Sequence, residues 1–328
     1  TNMNDLITAP EGTWRATVKL PASKSISNRA LILNALSSSP YVVENLSDCD
    51  DTNLMVNALQ ADGQDLNVGA AGTTMRFLTA FLAKRPGEWT ITGTERMKNR
   101  PIKVLVEALN ALGAHITYME KEGFPPLRIS GAALPGGEIS LPGHVSSQYI
   151  SAILMVAPLM EQGVTLHLEG EIVSRPYIHI TLELMKQFGV SATWEDHTIR
   201  VLPQSYTPIR FTVESDWSAA SYWYEMMALS PGAEIELLGL FRESLQGDAA
   251  GAKLFERLGV ETCFTDRGVR LRHTGIRCKE LTYDFVNEPD LAQTFVVTCA
   301  LLGVPFRFTG LQSLKIKETD RIAALQTE

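Results

Sequence analysis

The chain of 328 residues has only four cysteines, Cys49, Cys263, Cys278 and Cys299, and no two stand at C-x-x-C spacing. Neither a disulfide scaffold nor a thiolate metal site is expected, and Cys299, inside the apolar run Thr294 to Leu302, reads as a buried reduced thiol. The histidines, His115, His144, His167, His179, His197 and His273, are scattered, with no H-E-x-x-H and no tight His/Asp cluster. No metal site is expected from them. No G-x-G-x-x-G follows a strand and no G-x-x-x-x-G-K-[ST] occurs, so the usual cradles for a dinucleotide or a nucleoside triphosphate are missing. Basic residues form no block and the net charge is −8, which disfavours a nucleic-acid partner. No apolar run approaches the length that spans a bilayer, and Thr1-Asn-Met-Asn-Asp-Leu6 lacks the regions of a signal peptide. The expectation is a cytoplasmic chain with no membrane partner and a small-molecule target.

What the chain does have is a recurring device. Pro21-Ala-Ser-Lys-Ser-Ile-Ser-Asn-Arg29 opens into Ala30-Leu-Ile-Leu-Asn-Ala-Leu36. Ser and Asn suit a helix N-cap, and Ser25 and Arg29 share a face at i, i+4. Free N–H groups of a first helical turn attract phosphate or carboxylate, and Lys24 and Arg29 add charge there. The device returns at Gly69-Ala-Ala-Gly72-Thr-Thr-Met-Arg76, Val145-Ser-Ser-Gln-Tyr149, Asn287-Glu-Pro-Asp-Leu-Ala-Gln293 and Lys315-Ile-Lys-Glu-Thr-Asp-Arg321. Gly72 would let an anion approach the backbone closely. Five such turns, each leading an apolar helix, suggest repeated units whose helix N-termini share one cleft.

Strands read at Arg15–Leu20, Trp89–Gly93, His115–Met119, Gly163–Leu168, Thr198–Leu202, Ile209–Val213 and Val304–Phe308, each with partial alternation and nearby turn residues. Between them, Leu105–Gly113, Thr181–Gly189 and Ala250–Gly259 carry 3.6-spaced apolar residues, end in glycine, and are each followed by a strand. The unit of helix, glycine, strand, turn and strand returns at intervals of about seventy-five residues, which predicts a multi-repeat α/β architecture. The length suits two domains, and a hydrophobic content of 45% is ample for two cores.

Eight motifs then stand in order: Lys24-Ser25 with Arg29, Ala71-Gly72-Thr73 with Arg76, Arg96-Met-Lys-Asn-Arg100-Pro101, Val145-Ser-Ser-Gln148, Val173-Ser174-Arg-Pro-Tyr177, Leu245-Gln-Gly-Asp248, Pro289-Asp290 and Lys317-Glu-Thr-Asp-Arg321. Together they resemble the 5-enolpyruvylshikimate-3-phosphate synthase family from about Val18 to Arg321. The resemblance implies two similar domains, each an inside-out α/β barrel of three β-α-β-α-β-β units, closing on substrates held between them. It places a first barrel domain at 22–213 and a second at 214–328, joined by an N-terminal strand segment, 1–21. The implied reaction transfers the enolpyruvyl group of phosphoenolpyruvate to shikimate 3-phosphate, in a likeness to monomeric enzymes that need no cofactor. Carried over by position, Lys24, Ser25, Arg29, Ser146, Ser147, Gln148, Ser174, Tyr177, Asp290 and Lys317 would bind shikimate 3-phosphate. Lys24, Gly72, Arg100, Gln148 and Arg321 would bind phosphoenolpyruvate, for which the inhibitor glyphosate competes in this family. Asp290 would be the base, with Lys24 and Glu318 moving protons at C3.

The pattern departs from the family at Ala70 and Ser313, where members usually carry Asn. Members also continue through one more repeat with further cationic ligands, whereas this chain stops at Glu328, so the last repeat is expected to be missing and the chain alone could be inactive. Two other readings stay open. The sister enolpyruvyl transferase acting on UDP-N-acetylglucosamine shares the fold, but it lacks the Lys-Ser-x-Ser-Asn-Arg motif and carries a reactive Cys where Arg96-Met-Lys-Asn-Arg100 stands here. A non-catalytic anion-binding fragment is the other.

Overall fold

The computed structural model describes residues 12–316 and 319–328. Its first elements are β1 (Arg15–Lys19), α1 (Lys24–Leu36), α2 (Asp50–Gln60), β2 (Asp65–Asn67), α3 (Gly72–Lys84), β3 (Gly87–Thr92), α4 (Glu95–Lys98), α5 (Lys103–Ala111), β4 (His115–Tyr118) and β5 (Leu127–Gly131). Then come β6 (Gly137–Pro142), α6 (Ser147–Val156), β7 (Val164–Glu169), α7 (Arg175–Gln187), β8 (Ala192–Glu195) and β9 (Thr198–Val201). The rest is α8 (Trp217–Leu229), β10 (Glu234–Leu238), α9 (Gly251–Glu256), β11 (Val260–Phe264), β12 (Gly268–His273), β13 (Leu281–Asp284), α10 (Ala292–Leu302), β14 (Phe306–Thr309) and α11 (Arg321–Thr327). Gly113 and Gly189, just past the ends of α5 and α7, have φ of 102° and 88°. That is the left-handed C′ geometry in which glycine stops a helix and turns the chain into the next strand.

Two expected elements differ. Ile209–Val213 is no strand: Thr212 alone makes a parallel bridge, to Glu44. Its partner segment is bracketed by positive φ at Ser38 and Asn45 and contains Pro40, so it cannot extend a ladder. The helix expected over Ala250–Gly259 is present but shorter, as α9, with a 3₁₀ turn, Gly247–Ala250, leading into it.

Three sheets repeat one topology. Their strand orders are β2-β3-β5-β4, β6-β7-β9-β8 and β1-β10-β12-β11, and each runs parallel, antiparallel, antiparallel. A helix joins each parallel pair in two of them, through α3 and α6, which is the β-α-β-α-β-β unit. The strands β13 and β14 pair in parallel as a two-stranded sheet, with α10 between them.

The chain divides into two compact units, Ala22–Val213 and a second that joins Glu214–Glu328 to the chain before Ala22. In the Ala22–Val213 unit the helices α1, α3 and α6 lie inside and the sheets outside. Helix α6 is buried at Ser147 and from Tyr149 through Val156, and α3 at every position from Gly72 to Ala83 except Arg76. Helices apolar on all sides must sit in the middle of a core, while each outer strand buries alternate residues: Val164, Leu166 and Leu168 of β7 face inward. This is the inside-out α/β arrangement. In the other unit an aromatic chain forms the core, with ring centroids 5.2 Å apart for Tyr224–Phe255, 4.4 Å for Phe255–Phe295 and 5.7 Å for Phe285–Phe295. Among the described residues no helix is long and apolar enough to cross a membrane.

Candidate active site

The N-termini of α1, α3 and α6 meet because these three central helices pack on one another. Ser23 caps α1, accepting from the Ile26 N–H, and Lys24 is the first helical residue. Its ammonium pairs with the Asp51 carboxylate on the first turn of α2. The Thr74 hydroxyl donates to the Asp51 carbonyl at 2.7 Å, fixing that turn against α3. An open cavity of about 630 Å³ lies beside Lys24, lined also by Cys49, Asp51, Asn53 and Ala70.

Arg29 is one turn farther along α1 and only 2% exposed. Its Nε donates to Thr181 Oγ1 at 2.8 Å, Nη1 to the Ser25 carbonyl at 3.1 Å and Nη2 to Ser151 Oγ at 3.1 Å. The guanidinium also sits 5.3 Å from the Phe77 ring centroid and 6.0 Å from that of Tyr177. Among the described residues no carboxylate pairs with it. Burial pushes its pKa down to about 10, a measure of what desolvation costs this cation.

The guanidinium of Arg100, between α4 and α5, lies close against Gly72 at the start of α3: a Cβ on Gly72 would come within 2.6 Å of its Nη1. Gly72 does not have positive φ, so it is there for this close approach and not for a left-handed turn. Arg76, one turn on, donates to Gln148 Oε1 and lies 5.1 Å from the Tyr149 ring centroid. Gln148 Nε2 in turn donates to Thr73 Oγ1 at 2.9 Å, so both ends of that amide are held. Burial lowers the Arg76 pKa, nearby Arg100 lowers it further, and Tyr149 and Asp51 work in the opposite sense.

Ser146 is the N-cap of α6, accepting from the Gln148 N–H at 3.3 Å, and Ser147 is its first residue. Ser174 precedes α7 with φ 56° and ψ 33°, and its side chain makes no capping bond. Cap formation therefore does not explain Ser174; a non-glycine residue in the left-handed region is strained by about 1–2 kcal/mol. Tyr177 is 37% exposed, which rules out a purely core aromatic.

In the other unit, Asp290 lies in a 3₁₀ turn, Pro289–Leu291, and pairs with Arg321 Nη1 at 3.1 Å at the start of α11. Lys317 and Glu318 lie outside the described residues. Asp248, singled out as part of a motif and given no role, is pushed up to about 6 by burial, against a hydrogen bond from Ser218 and with Asp290, Asp216 and Glu288 adding repulsion. Sequence reasoning also gave no role to Asp51, Ser151, Thr181 and Tyr149. A polar residue inside an otherwise apolar helix, as Ser151 is in α6, was the available signal. Among the described residues no group of three His, Cys, Asp or Glu side chains is placed to hold a metal.

The family model for EPSP synthase (3-phosphoshikimate 1-carboxyvinyltransferase) matches residues 9–65 and 59–328. A 3-phosphoshikimate 1-carboxyvinyltransferase of Bacteroides fragilis is 63% identical over 327 residues, covering 99% of this chain and 80% of the relative. One of Vibrio atlanticus is 41% identical, covering 95% and 79%. The solved EPSP synthase of Acinetobacter baumannii superposes with a TM-score of 0.82 at 19% identity, over 97% of this chain and 78% of that one, a likeness of fold. With the eight motifs in order and a model matched along nearly the whole chain, the protein belongs to the EPSP synthase family.

Proposed function

We propose that the chain carries the family's reaction, in which the enolpyruvyl group of phosphoenolpyruvate passes to the 5-hydroxyl of shikimate 3-phosphate and phosphate leaves. The observation that carries this reading is Arg29, a buried guanidinium with no carboxylate on it among the described residues. A cation withdrawn from water without a counter-ion is costly, and an anionic ligand removes the cost. Lys24, Arg76 and Arg100 belong to the same cluster of helix starts, so the ligands are polyanions.

In this reading Lys24, Ser25, Arg29, Ser146, Ser147, Gln148, Ser174 and Tyr177 hold shikimate 3-phosphate, with Lys317 and Asp290. Lys24, Gly72, Arg100, Gln148 and Arg321 hold phosphoenolpyruvate. Asp290 takes the proton of the 5-hydroxyl as its oxygen attacks C2, while C3 gains a proton from an acid, Lys24 or Glu318. The tetrahedral adduct then loses that proton from C3 and expels phosphate, restoring the double bond. Arg321 holds the Asp290 carboxylate in place. The chain acts as a cytoplasmic monomer.

Calorimetry with shikimate 3-phosphate against shikimate tests the reading. The phosphate should tighten binding by about two orders of magnitude through charge-assisted hydrogen bonds. Equal affinities would remove the phosphate roles of Lys24, Ser146 and Ser147, and selective binding of UDP-N-acetylglucosamine would move the chain to the sister reaction.

A further inference from the structure

Arg76 and Arg100 are like charges in the same cluster, and the nearness of Arg100 disfavours the Arg76 cation. Arg100 is the last residue before Pro101, in a short segment between α4 and α5 that has few backbone ties. The Arg100 N–H donates to the Met97 carbonyl at 3.0 Å and the Ile102 N–H to the Gly123 carbonyl at 2.9 Å. Between them, the Pro101 carbonyl accepts the Tyr149 hydroxyl at 2.7 Å. Tyr149 is only 9% exposed and stands on α6 directly after Gln148. Its ring meanwhile faces the Arg76 guanidinium at 5.1 Å. One side chain thus serves both cations, its ring and hydroxyl favouring the Arg76 charge and the same hydroxyl anchoring the chain that carries Arg100.

We propose that the Tyr149 hydroxyl is a positioning residue that holds the Arg100 guanidinium against Gly72, where it receives the anionic group of phosphoenolpyruvate. This rests on the reading of Arg100 given above. The hydroxyl acts on the backbone next to Arg100 and touches neither substrate. The Pro101 carbonyl is no ligand of shikimate 3-phosphate, and Gln148, the ligand next to Tyr149 on α6, keeps its own bonds to Thr73 and Arg76, so removal of the hydroxyl should be felt by one substrate and not the other.

The variant is Tyr149→Phe, which keeps the ring beside Arg76 and removes the hydroxyl with its bonds to the Pro101 carbonyl and to Arg76. With shikimate 3-phosphate saturating, phosphoenolpyruvate should bind about three- to tenfold more weakly, the worth of one buried hydrogen bond. Shikimate 3-phosphate affinity should stay unchanged. In an Arg100→Ala background, Tyr149→Phe should have no further effect on phosphoenolpyruvate, because the two act as a unit. Without any ligand, phenylglyoxal should modify Arg100 several-fold faster in Tyr149→Phe, read by peptide mass spectrometry. Additive effects of the two substitutions, equal weakening of both substrates, or an unchanged Arg100 modification rate would each overturn the proposal. If Arg100→Ala itself leaves phosphoenolpyruvate binding intact while Tyr149→Phe still speeds Arg100 modification, positioning stands and the substrate role of Arg100 falls.

Discussion

Gly72 shows how a single missing side chain shapes the site. A methyl group there would meet the far end of the Arg100 side chain, at 2.6–2.8 Å from its Nη1, Nη2 and Cζ atoms, and a flexible guanidinium can give way. Gly72→Ala should therefore leave the melting temperature unchanged or slightly higher, since alanine in helical φ gains about 0.4–1 kcal/mol over glycine. The displaced Arg100 and the added methyl should weaken glyphosate strongly and phosphoenolpyruvate modestly. A large melting loss with unchanged inhibitor selectivity, measured on one preparation, would reject the pocket role. At Ser174 the logic runs the other way: glycine tolerates φ 56° freely. Ser174→Gly should raise stability by about 1 kcal/mol and weaken shikimate 3-phosphate, checked by denaturant titration and calorimetry. A stability gain with full affinity would assign the strain to the turn alone.

Among the elements, α6 and α10 are both apolar in sequence but differ in their surroundings. Ile153 of α6 is fully buried, whereas Leu301 of α10 is 65% exposed. In this chain Ile153→Ala should cost about 2–5 kcal/mol and Leu301→Ala no more than about 0.5 kcal/mol, by equilibrium unfolding. Equal losses would contradict the placement of α6 at the centre of its unit. Three helix starts were legible in the chain: Ser23, Ser146 and Asp320 cap α1, α6 and α11 as their residue types direct, whereas α3 and α10 start on Ala71 and Leu291 with no side-chain cap. The strand expected at Ile209–Val213 was not, because strand formation needs a partner and Pro40 with Asn45 denies it one.

At the scale of the whole molecule, charge burial gives the stability a pH dependence. The folded Asp248 carboxyl keeps its proton up to about pH 6, where an ordinary aspartate releases it near 3.8. Folding thus takes up a proton in that window, and this group's contribution falls as pH rises through it. Asp248→Asn, which retains an acceptor for Ser218, should stabilise the chain by about 1–3 kcal/mol at pH 7.5. The gain should fade toward pH 4, as followed by melting across pH. A gain independent of pH would mean that packing, and not the buried charge near Asp216, Glu288 and Asp290, is responsible.

Local chemistry in the chain was enough to determine the starts of α1, α6 and α11, the glycine stops at 113 and 189, the repeated α/β unit and, through eight ordered motifs, the family. These are short-range properties: capping, φ preference and periodicity act within a turn or two of the residue that causes them. Tertiary structure alone decided which cations are paired and which are not. Lys24 meets Asp51 across 27 residues and Arg29 meets Thr181 across 152, and neither pairing has a signature at sequence range. The same holds for Tyr149 and Pro101, which lie 48 residues apart until α6 is buried in the middle of its sheets. Buried polar partners are set by which helices pack together, and packing follows from the summed apolar faces of the whole unit rather than from any one segment.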